Sequence, residues 1–170
     1  KRLYILDQMG NQGTAYNMPG VFLLEGKVEP ERLEAALRSL VQRHEILRTS
    51  FHWVDGAPVQ KVSEEVTWEL EWIDSRGMEL EQTARTFIRP FDLSSGSLMR
   101  AALVQLDENR YALLFDMHHI ISDGVSMSIL VRELGELYQG NELPELTIQY
   151  KDYACWQQEQ AQTNRLKEQE

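Results

Sequence analysis

Two adjacent histidines are the residues of this chain best suited to chemistry. His118 and His119 follow a predicted strand and precede a predicted helix that begins near Asp123 and Gly124. Strand ends are common positions for functional groups, because a rigid element aims the side chain while the next loop leaves room for a ligand. If the strand continues through the pair, the two imidazoles point to opposite faces, since successive strand residues alternate. The two histidines are therefore expected to have different roles.

Each of these residues also has an ordinary structural interpretation. A histidine at a strand end is more often a core or rim residue than a catalyst. Asp123 is placed to cap the following helix, and Gly124 to relieve backbone strain at the turn. We reject a metal site made of His118, His119 and Asp123, because adjacent histidines on opposite faces cannot easily share one ion. No third histidine or cysteine lies at ligand spacing.

Alternating periodicities predict the elements that position these residues. The predicted elements are a strand at 21–24, a helix after Pro30, a hairpin of 49–54 and 59–62, a strand at 66–73, a helix at 80–88, a long hairpin of 98–106 and 110–117, a helix after Gly124 and a polar helix from Tyr150. This order predicts an α/β domain, a two-layer sandwich in which helices cover a mixed β-sheet.

Composition excludes several classes of function. The 170 residues are 42% hydrophobic and 26% charged, which is typical of one globular domain. The net charge of −10 and the lack of a basic cluster argue against binding to nucleic acid. The longest apolar run, residues 111–115, is far too short to span a membrane. A single cysteine, Cys155, cannot form an internal disulfide, which favours a reducing, cytoplasmic compartment.

Four segments of the chain resemble the motifs of one enzyme family. Residues 118–124 (HHIISDG) match the HHxxxDG motif of condensation domains from nonribosomal peptide synthetases, which are related to chloramphenicol acetyltransferase. Residues 43–51 (RHEILRTSF) resemble the RHExLRTxF motif of that family, and residues 150–156 (YKDYACW) resemble its YxDYAxW motif. Residues 1–6 are similar to the end of its first motif. Four motifs in the right order make the resemblance specific.

The resemblance implies a fold like that of chloramphenicol acetyltransferase and an acyltransferase that forms peptide bonds in antibiotic biosynthesis. A donor acyl thioester and an acceptor aminoacyl thioester would enter on the phosphopantetheine arms of two carrier proteins, and the acceptor amine would attack the donor carbonyl. The lobe itself would bind no cofactor and no metal. The implied partners are the upstream and downstream peptidyl carrier proteins and an adjacent adenylation domain, within a multidomain cytoplasmic protein.

The resemblance also implies roles for individual residues. His119 is the active-site histidine, acting either as general base or by positioning the amine and stabilising the transition state. Both roles suit an imidazole, since an unperturbed imidazole titrates near pH ~6.5. The backbone N–H of Gly124 would face the developing oxyanion. Asp123 would pair with an arginine, Arg43 being favoured over Arg48, and His118 would support the loop.

Two further expectations concern the extent of the chain. Residues 1–170 are interpreted as the N-terminal lobe of a two-lobed domain, with 150–170 a helix that leads to a missing C-terminal lobe. An apolar face should then be exposed where that lobe docks, Tyr150 and Trp156 should make core or interdomain contacts, and the isolated fragment should be inactive. Two alternatives stay open, an epimerization domain of the same superfamily and a non-catalytic module that docks carriers.

Overall fold

The helices and strands follow one another in the predicted order, apart from a first helix and a short 3-10 helix that were not predicted. A computed structural model describes residues 2–10, 13–74 and 78–167. Its elements are α1 (Arg2–Met9), β1 (Asn17–Glu25), α2 (Pro30–Arg43), a short 3-10 helix (Glu45–Arg48), β2 (Thr49–Val54), β3 (Ala57–Val62), β4 (Glu71–Asp74), α3 (Leu80–Phe87), β5 (Met99–Asp107), β6 (Arg110–His118), α4 (Gly124–Gln139) and α5 (Tyr150–Lys167).

Four of the strands form one mixed sheet in the order β1-β6-β5-β4. Strand β6 pairs antiparallel with both β1 and β5, whereas the short β4 joins β5 in parallel. Strands β2 and β3 form a separate antiparallel hairpin whose turn residues, Asp55 and Gly56, both have positive φ. An Asp-Gly pair is suited to such a turn. The predicted α/β fold, with helices packed on a mixed sheet, is confirmed.

Strand β6 is buried on both faces, and this explains its uninterrupted apolar sequence. Leu113 and Met117 face the larger core cluster, to which helices α2 and α4 contribute. Ala112 and Leu114 face a second cluster that includes Phe87 of α3. A strand covered on both sides has no reason to alternate apolar with polar residues. The sheet is thus held from both faces just before the histidine pair.

Helix α2 forms because its apolar residues recur at helical spacing. Pro30 occupies the first turn, where its fixed φ favours a helix and its missing N–H costs nothing. The side chains buried against the sheet and α4 are Leu33, Ala36, Leu37, Leu40 and Val41. The helix ends at Arg43, and the following amide of His44 still donates to the Leu40 carbonyl. Its last turn therefore delivers Arg43 and His44 to the side of α4.

The predicted strand at 66–73 is wrong for most of its length. Only Glu71–Asp74 pair in the sheet. Trp68 is instead buried in the larger core, where its indole N–H donates to the carbonyl of Met99 at 3.0 Å. The segment before β4 is thus held by the buried Trp68 side chain and its bond to the first residue of β5, not by hydrogen bonds between strands. Sequence periodicity does not predict such a contact.

Helix α5 carries an exposed row of aromatic side chains. The ring centroids of Tyr150 and Tyr153 are 6.1 Å apart, and those of Tyr153 and Trp156 are 5.8 Å apart. All three residues are about half exposed, and the nearby Ile148 is 68% exposed. Tyr150 and Trp156 therefore lie outside the core of the described part of the chain, and the interdomain contact expected as the alternative stays a prediction. Over residues 2–10, 13–74 and 78–167, none of the helices combines the length and the hydrophobicity that a membrane span requires.

Gly20 offers a direct test of the packing between β1 and β6. It lies opposite Phe115 in the register, and a Cβ built on Gly20 would overlap the Phe115 ring, which is stacked on Phe22. We expect Gly20→Ala to lower the free energy of unfolding by about 1–3 kcal/mol, because the ring must shift in a packed site.

Gly135 is the matched control for this substitution. It lies within helix α4, and an added Cβ would meet no described atom within 4 Å. Gly135→Ala should therefore raise stability by about 0.5–1 kcal/mol. Urea unfolding of both variants checks the pair, and an equally stable Gly20→Ala variant would contradict the packing described.

Candidate active site

The histidine pair lies at the junction between strand β6 and helix α4. His118 is the last residue of the strand, and its amide donates to the Leu98 carbonyl at 3.0 Å. The amide of His119 leaves the ladder and donates to the carbonyl of Tyr16 at 2.8 Å. The amide of Ile121 then turns back to the carbonyl of His118 at 3.1 Å. Backbone bonds thus hold the chain on both sides of His119.

The two imidazoles occupy opposite environments, as alternation along the strand predicts. His118 is 2% exposed, whereas His119 is exposed. The ring of His118 lies near the rings of Tyr16 and Phe91 and contacts Asp7 of helix α1. Burial lowers the pKa of His118, and the hydrogen bond and charge of Asp7 offset this only in part. His118 is therefore suited to support and His119 to contact with a ligand.

His119 lines a cleft of about 620 Å³ between the end of the sheet, helix α4 and the segment before α5. Apolar side chains form much of its wall, including those of Leu3, Ile46, Ile129, Leu130, Leu146 and Ile148. Its polar wall includes His44, Asp123, Ser126 and Glu133. A mostly apolar cleft with a few polar groups is typical of a site for a small molecule or a flexible arm.

Asp123 caps helix α4. Its carboxylate accepts hydrogen bonds from the Ser126 amide at 2.8 Å and from the Ser126 hydroxyl at 2.7 Å. These bonds from Ser126 lower the pKa of Asp123. The capping interpretation of Asp123 is therefore confirmed, and the residue is exposed at the rim of the cleft. Gly124 is the first residue of the helix, and a Cβ added there would meet no described atom within 4 Å.

The predicted pairing of Asp123 with Arg43 or Arg48 is wrong in this structure. Arg43 Nε donates instead to Glu133 Oε2 at 3.2 Å, since the last turn of α2 lies against α4 rather than against its N-terminus. Arg48 is directed at main-chain carbonyls, those of Ser63 and Gln42. Asp123 has its bonds within its own helix turn and meets neither arginine.

Glu133 is the centre of a polar cluster that sequence reasoning missed. Its Oε2 also lies 2.6 Å from His44 Nε2, and its side chain is 8% exposed. Burial raises the pKa of Glu133, but the hydrogen bonds and charges of His44 and Arg43 outweigh it, so the pKa lies below its usual value. One signal was available. Glu133 precedes Leu134 on the same apolar stripe of α4, where a carboxylate requires a partner.

A second buried carboxylate lies under the histidine pair. Asp116 is fully buried and accepts a hydrogen bond from Asn17 Nδ2 at 2.6 Å. Arg100 lies 3.8 Å away and also covers the Phe91 ring. Burial raises the pKa of Asp116, with Asn17 and Arg100 opposing it. The contacts join β1, β5 and β6 near their common end. Among the described residues, no three histidine, cysteine or acidic side chains are grouped to hold a metal ion.

The cap at Asp123 generates a prediction about pH. A carboxylate whose pKa is lowered by folding stabilises the protein above its unfolded pKa, near ~3.9, and loses that contribution as the pH falls through the lower folded value. Asp123→Ala should therefore lower the melting temperature at pH 7, and the difference from wild type should shrink below about pH 4. Asp123→Asn should stay close to wild type, because asparagine also caps helices. Equal losses for both variants would contradict the capping role.

The partner of Arg43 is tested by double-mutant cycles. Arg43→Ala and Glu133→Ala should each destabilise the chain by about 1–3 kcal/mol, because each removes a charged hydrogen bond. Their effects should couple by about 0.5–3 kcal/mol, as expected for residues in contact. Arg43→Ala and Asp123→Ala should instead be additive. Unfolding in urea measures both cycles, and coupling in the second but not the first would restore the pair with Asp123.

Comparisons with known proteins agree on one family. A family model described as Condensation domain matches residues 1–170. Gramicidin S synthase 2 of Aneurinibacillus migulanus is 52% identical over the whole chain, which spans 4% of that protein. Surfactin synthase subunit 2 of Bacillus subtilis (strain 168) is 48% identical over the whole chain, which spans 5% of it. The chain thus matches a small part of these relatives.

Solved structures give the same answer for the fold. The X-domain from teicoplanin biosynthesis superposes with a TM-score of 0.83 at 27% identity, over 96% of this chain and 37% of that one. A condensation domain that mediates chain release from the enacyloxin polyketide synthase superposes with a TM-score of 0.68 at 30% identity, over 84% of this chain and 30% of that one. With a family model matched along its full length and an exposed histidine, His119, directly after β6, this chain belongs to the condensation domain family.

Proposed function

We propose that this chain is the N-terminal lobe of a two-lobed condensation domain and that it contributes His119 to amide-bond formation between two carrier-bound thioesters. One observation carries the proposal. The exposed imidazole of His119 lies in a largely apolar cleft, at a point where backbone bonds hold the chain on both sides. Such a group is free to meet a substrate while its main chain stays in place.

The reaction balances without any further reagent. The acceptor amine attacks the carbonyl carbon of the donor thioester, so a C–N bond forms and the carbonyl oxygen takes on negative charge. The C–S bond then breaks, and the phosphopantetheine thiol of the donor carrier leaves. The amine loses one proton and the leaving thiolate gains one. His119 accepts either the amine proton or a hydrogen bond from the amine. In both cases its imidazole must lie within hydrogen-bond distance of the amine nitrogen.

Gly124 is the proposed contributor to the oxyanion site. It is the first residue of helix α4, and backbone N–H groups in the first turn of a helix have no partner within the helix. The absence of a Cβ leaves room for close approach at this point. Asp123 aligns this turn through Ser126 and is not proposed to touch the substrate.

The proposed second lobe would complete the site. The chain spans 37% of the X-domain chain with which it superposes. The exposed aromatic row of Tyr150, Tyr153 and Trp156 on α5 is the apolar surface expected where further chain packs. Upstream and downstream peptidyl carrier proteins, an adjacent adenylation domain and a cytoplasmic location belong to the same proposal, as does the inactivity of the isolated lobe.

A docking module is the second candidate. The X-domain from teicoplanin biosynthesis, whose fold this chain shares, has also been solved as a complex with OxyB. That similarity favours binding without catalysis as the alternative. The two candidates make opposite predictions for His119, because a docking surface has no need of an imidazole in the cleft.

The test is a product assay on the complete protein, with donor- and acceptor-loaded carriers. We expect His119→Ala to reduce the rate of dipeptidyl product formation by about 100-fold or more, because proton transfer and positioning are lost together. His52→Ala is the matched control, since His52 lies on β2 with Ser50 as its partner and does not line the cleft. Circular dichroism and thermal melts must show that both variants fold.

The other outcomes are equally distinct. A folded His119→Ala variant at the wild-type rate would contradict the role of His119. If the wild type forms no product but exchanges the α-proton of a loaded carrier, the domain is an epimerization domain. If it binds carriers and does neither, it is a docking module.

A further inference from the structure

The buried histidine has a defined tautomer that the hydrogen bonds around it reveal. His118 Nδ1 accepts a hydrogen bond from the backbone N–H of Ile120 at 3.0 Å. A ring nitrogen that accepts carries no proton, so the ring proton of a neutral His118 is on Nε2. That atom lies 3.3 Å from Asp7 Oδ1 and therefore donates to it. His118 is thus a neutral imidazole held between an acceptor and a donor.

These bonds extend to the loop that carries His119. The amides of His119, Ile120 and Ile121 bond respectively to the Tyr16 carbonyl, to His118 Nδ1 and to the His118 carbonyl. Two of the three anchors therefore belong to His118. The orientation of the His118 ring decides whether the Ile120 amide has its acceptor, and that amide immediately follows the residue proposed to act on the substrate.

Asp7 is the group that selects this state of the ring. Without an acceptor at Nε2, the tautomer with its proton on Nδ1 becomes competitive, and it would direct a ring N–H at the N–H of Ile120. Asp7 is 6% exposed and His118 is 2% exposed, so bulk water is poorly placed to substitute as the acceptor. The Phe91 ring meets the imidazole edge-on at 6.3 Å and limits its rotation.

We propose that Asp7 is a positioning residue for His119. By accepting from His118 Nε2–H, it keeps His118 Nδ1 free to bind the Ile120 amide, and this fixes the loop that presents His119 to the cleft. Asp7 would thereby act on the active site without touching the substrate. The inference rests on the proposed function, since it assigns Asp7 a role in the same reaction.

The test compares Asp7→Leu with Asp7→Asn in the complete protein. Asparagine keeps an oxygen that can accept from Nε2–H, whereas leucine keeps the approximate size and removes the acceptor. We expect Asp7→Leu to reduce the single-turnover rate of product formation by about 10-fold or more, because a displaced catalytic group loses rate rather than binding. The apparent KM for the loaded acceptor should change by less than about 3-fold, as positioning affects the chemical step. Asp7→Asn should restore most of the rate.

Val104→Ala is the control for loss of stability alone. Val104 is buried in the second core cluster, among side chains that do not line the cleft. The Val104→Ala variant should melt at a lower temperature than wild type, but its single-turnover rate should be unchanged under conditions in which it is folded. An Asp7→Leu variant that folds and works at the wild-type rate would overturn the proposal, as would an Asp7→Asn variant no better than Asp7→Leu.

A second pair of variants covers the case in which Asp7→Leu does not fold. His118→Asn can still accept from the amide two residues on, as asparagine does in Asx turns, whereas His118→Leu cannot. We expect His118→Asn to be the more active of the two, and equal rates would overturn the proposal.

Nitrogen-15 NMR of labelled histidine separates this inference from the proposed function. The His118 imidazole should show the Nε2–H tautomer in the wild type and lose it in Asp7→Leu, and an Nδ1–H tautomer in the wild type would overturn the proposal. This signal does not depend on turnover. A wild type that forms no product would instead overturn the proposed function.

Discussion

Strand β6 imposes the constraint on which the other features depend. It lies between β1 and β5 and is hydrogen-bonded along both edges, while side chains from two core clusters cover its two faces. The register of a strand held on four sides is fixed. A shift by one residue would turn each side chain to the opposite face, where it would meet the other cluster and lose its packing partners. Its last residue is His118, and the next, His119, leaves the ladder to bond Tyr16. The place where pairing stops therefore separates the buried imidazole from the exposed one.

Helices α2 and α4 build the wall opposite the end of β6. Glu133 joins them, with Arg43 and His44 both directed at the same carboxylate oxygen. Gln149 extends the cluster to the segment before α5, since its amide donates to the Arg43 carbonyl at 2.9 Å. The side chains of Arg43 and His44 are thus both bound to Glu133. His119 is left as the exposed imidazole on the cleft wall, which suits the proposed chemistry of an amine and a thioester.

Asp116 and Asp7 are buried acids that act on different parts of the site. Asp116 lies within the sheet and joins β1 to β6 through Asn17. Asp7 lies outside the sheet and reaches His118 from helix α1, through a contact 111 residues apart in sequence. A residue so distant in sequence influences the site only because α1 packs over the end of the strand. In our proposal, this contact connects helix α1 to the HHxxxDG motif.

The local elements and the family were determined by the sequence itself. Helical spacing after Pro30, the Asp-Gly turn, the apolar run of β6 and four ordered motifs require only neighbouring residues to be recognised. The opposite environments of His118 and His119 and the cap at Asp123 follow from the same local rules. Tertiary structure alone decided three contacts. Arg43 pairs with Glu133, the buried Trp68 bonds the Met99 carbonyl where a strand was predicted, and Asp7 contacts His118. The reason is that each of these contacts joins groups brought together by packing of separate elements, and periodicity along the chain carries no record of which partners will meet.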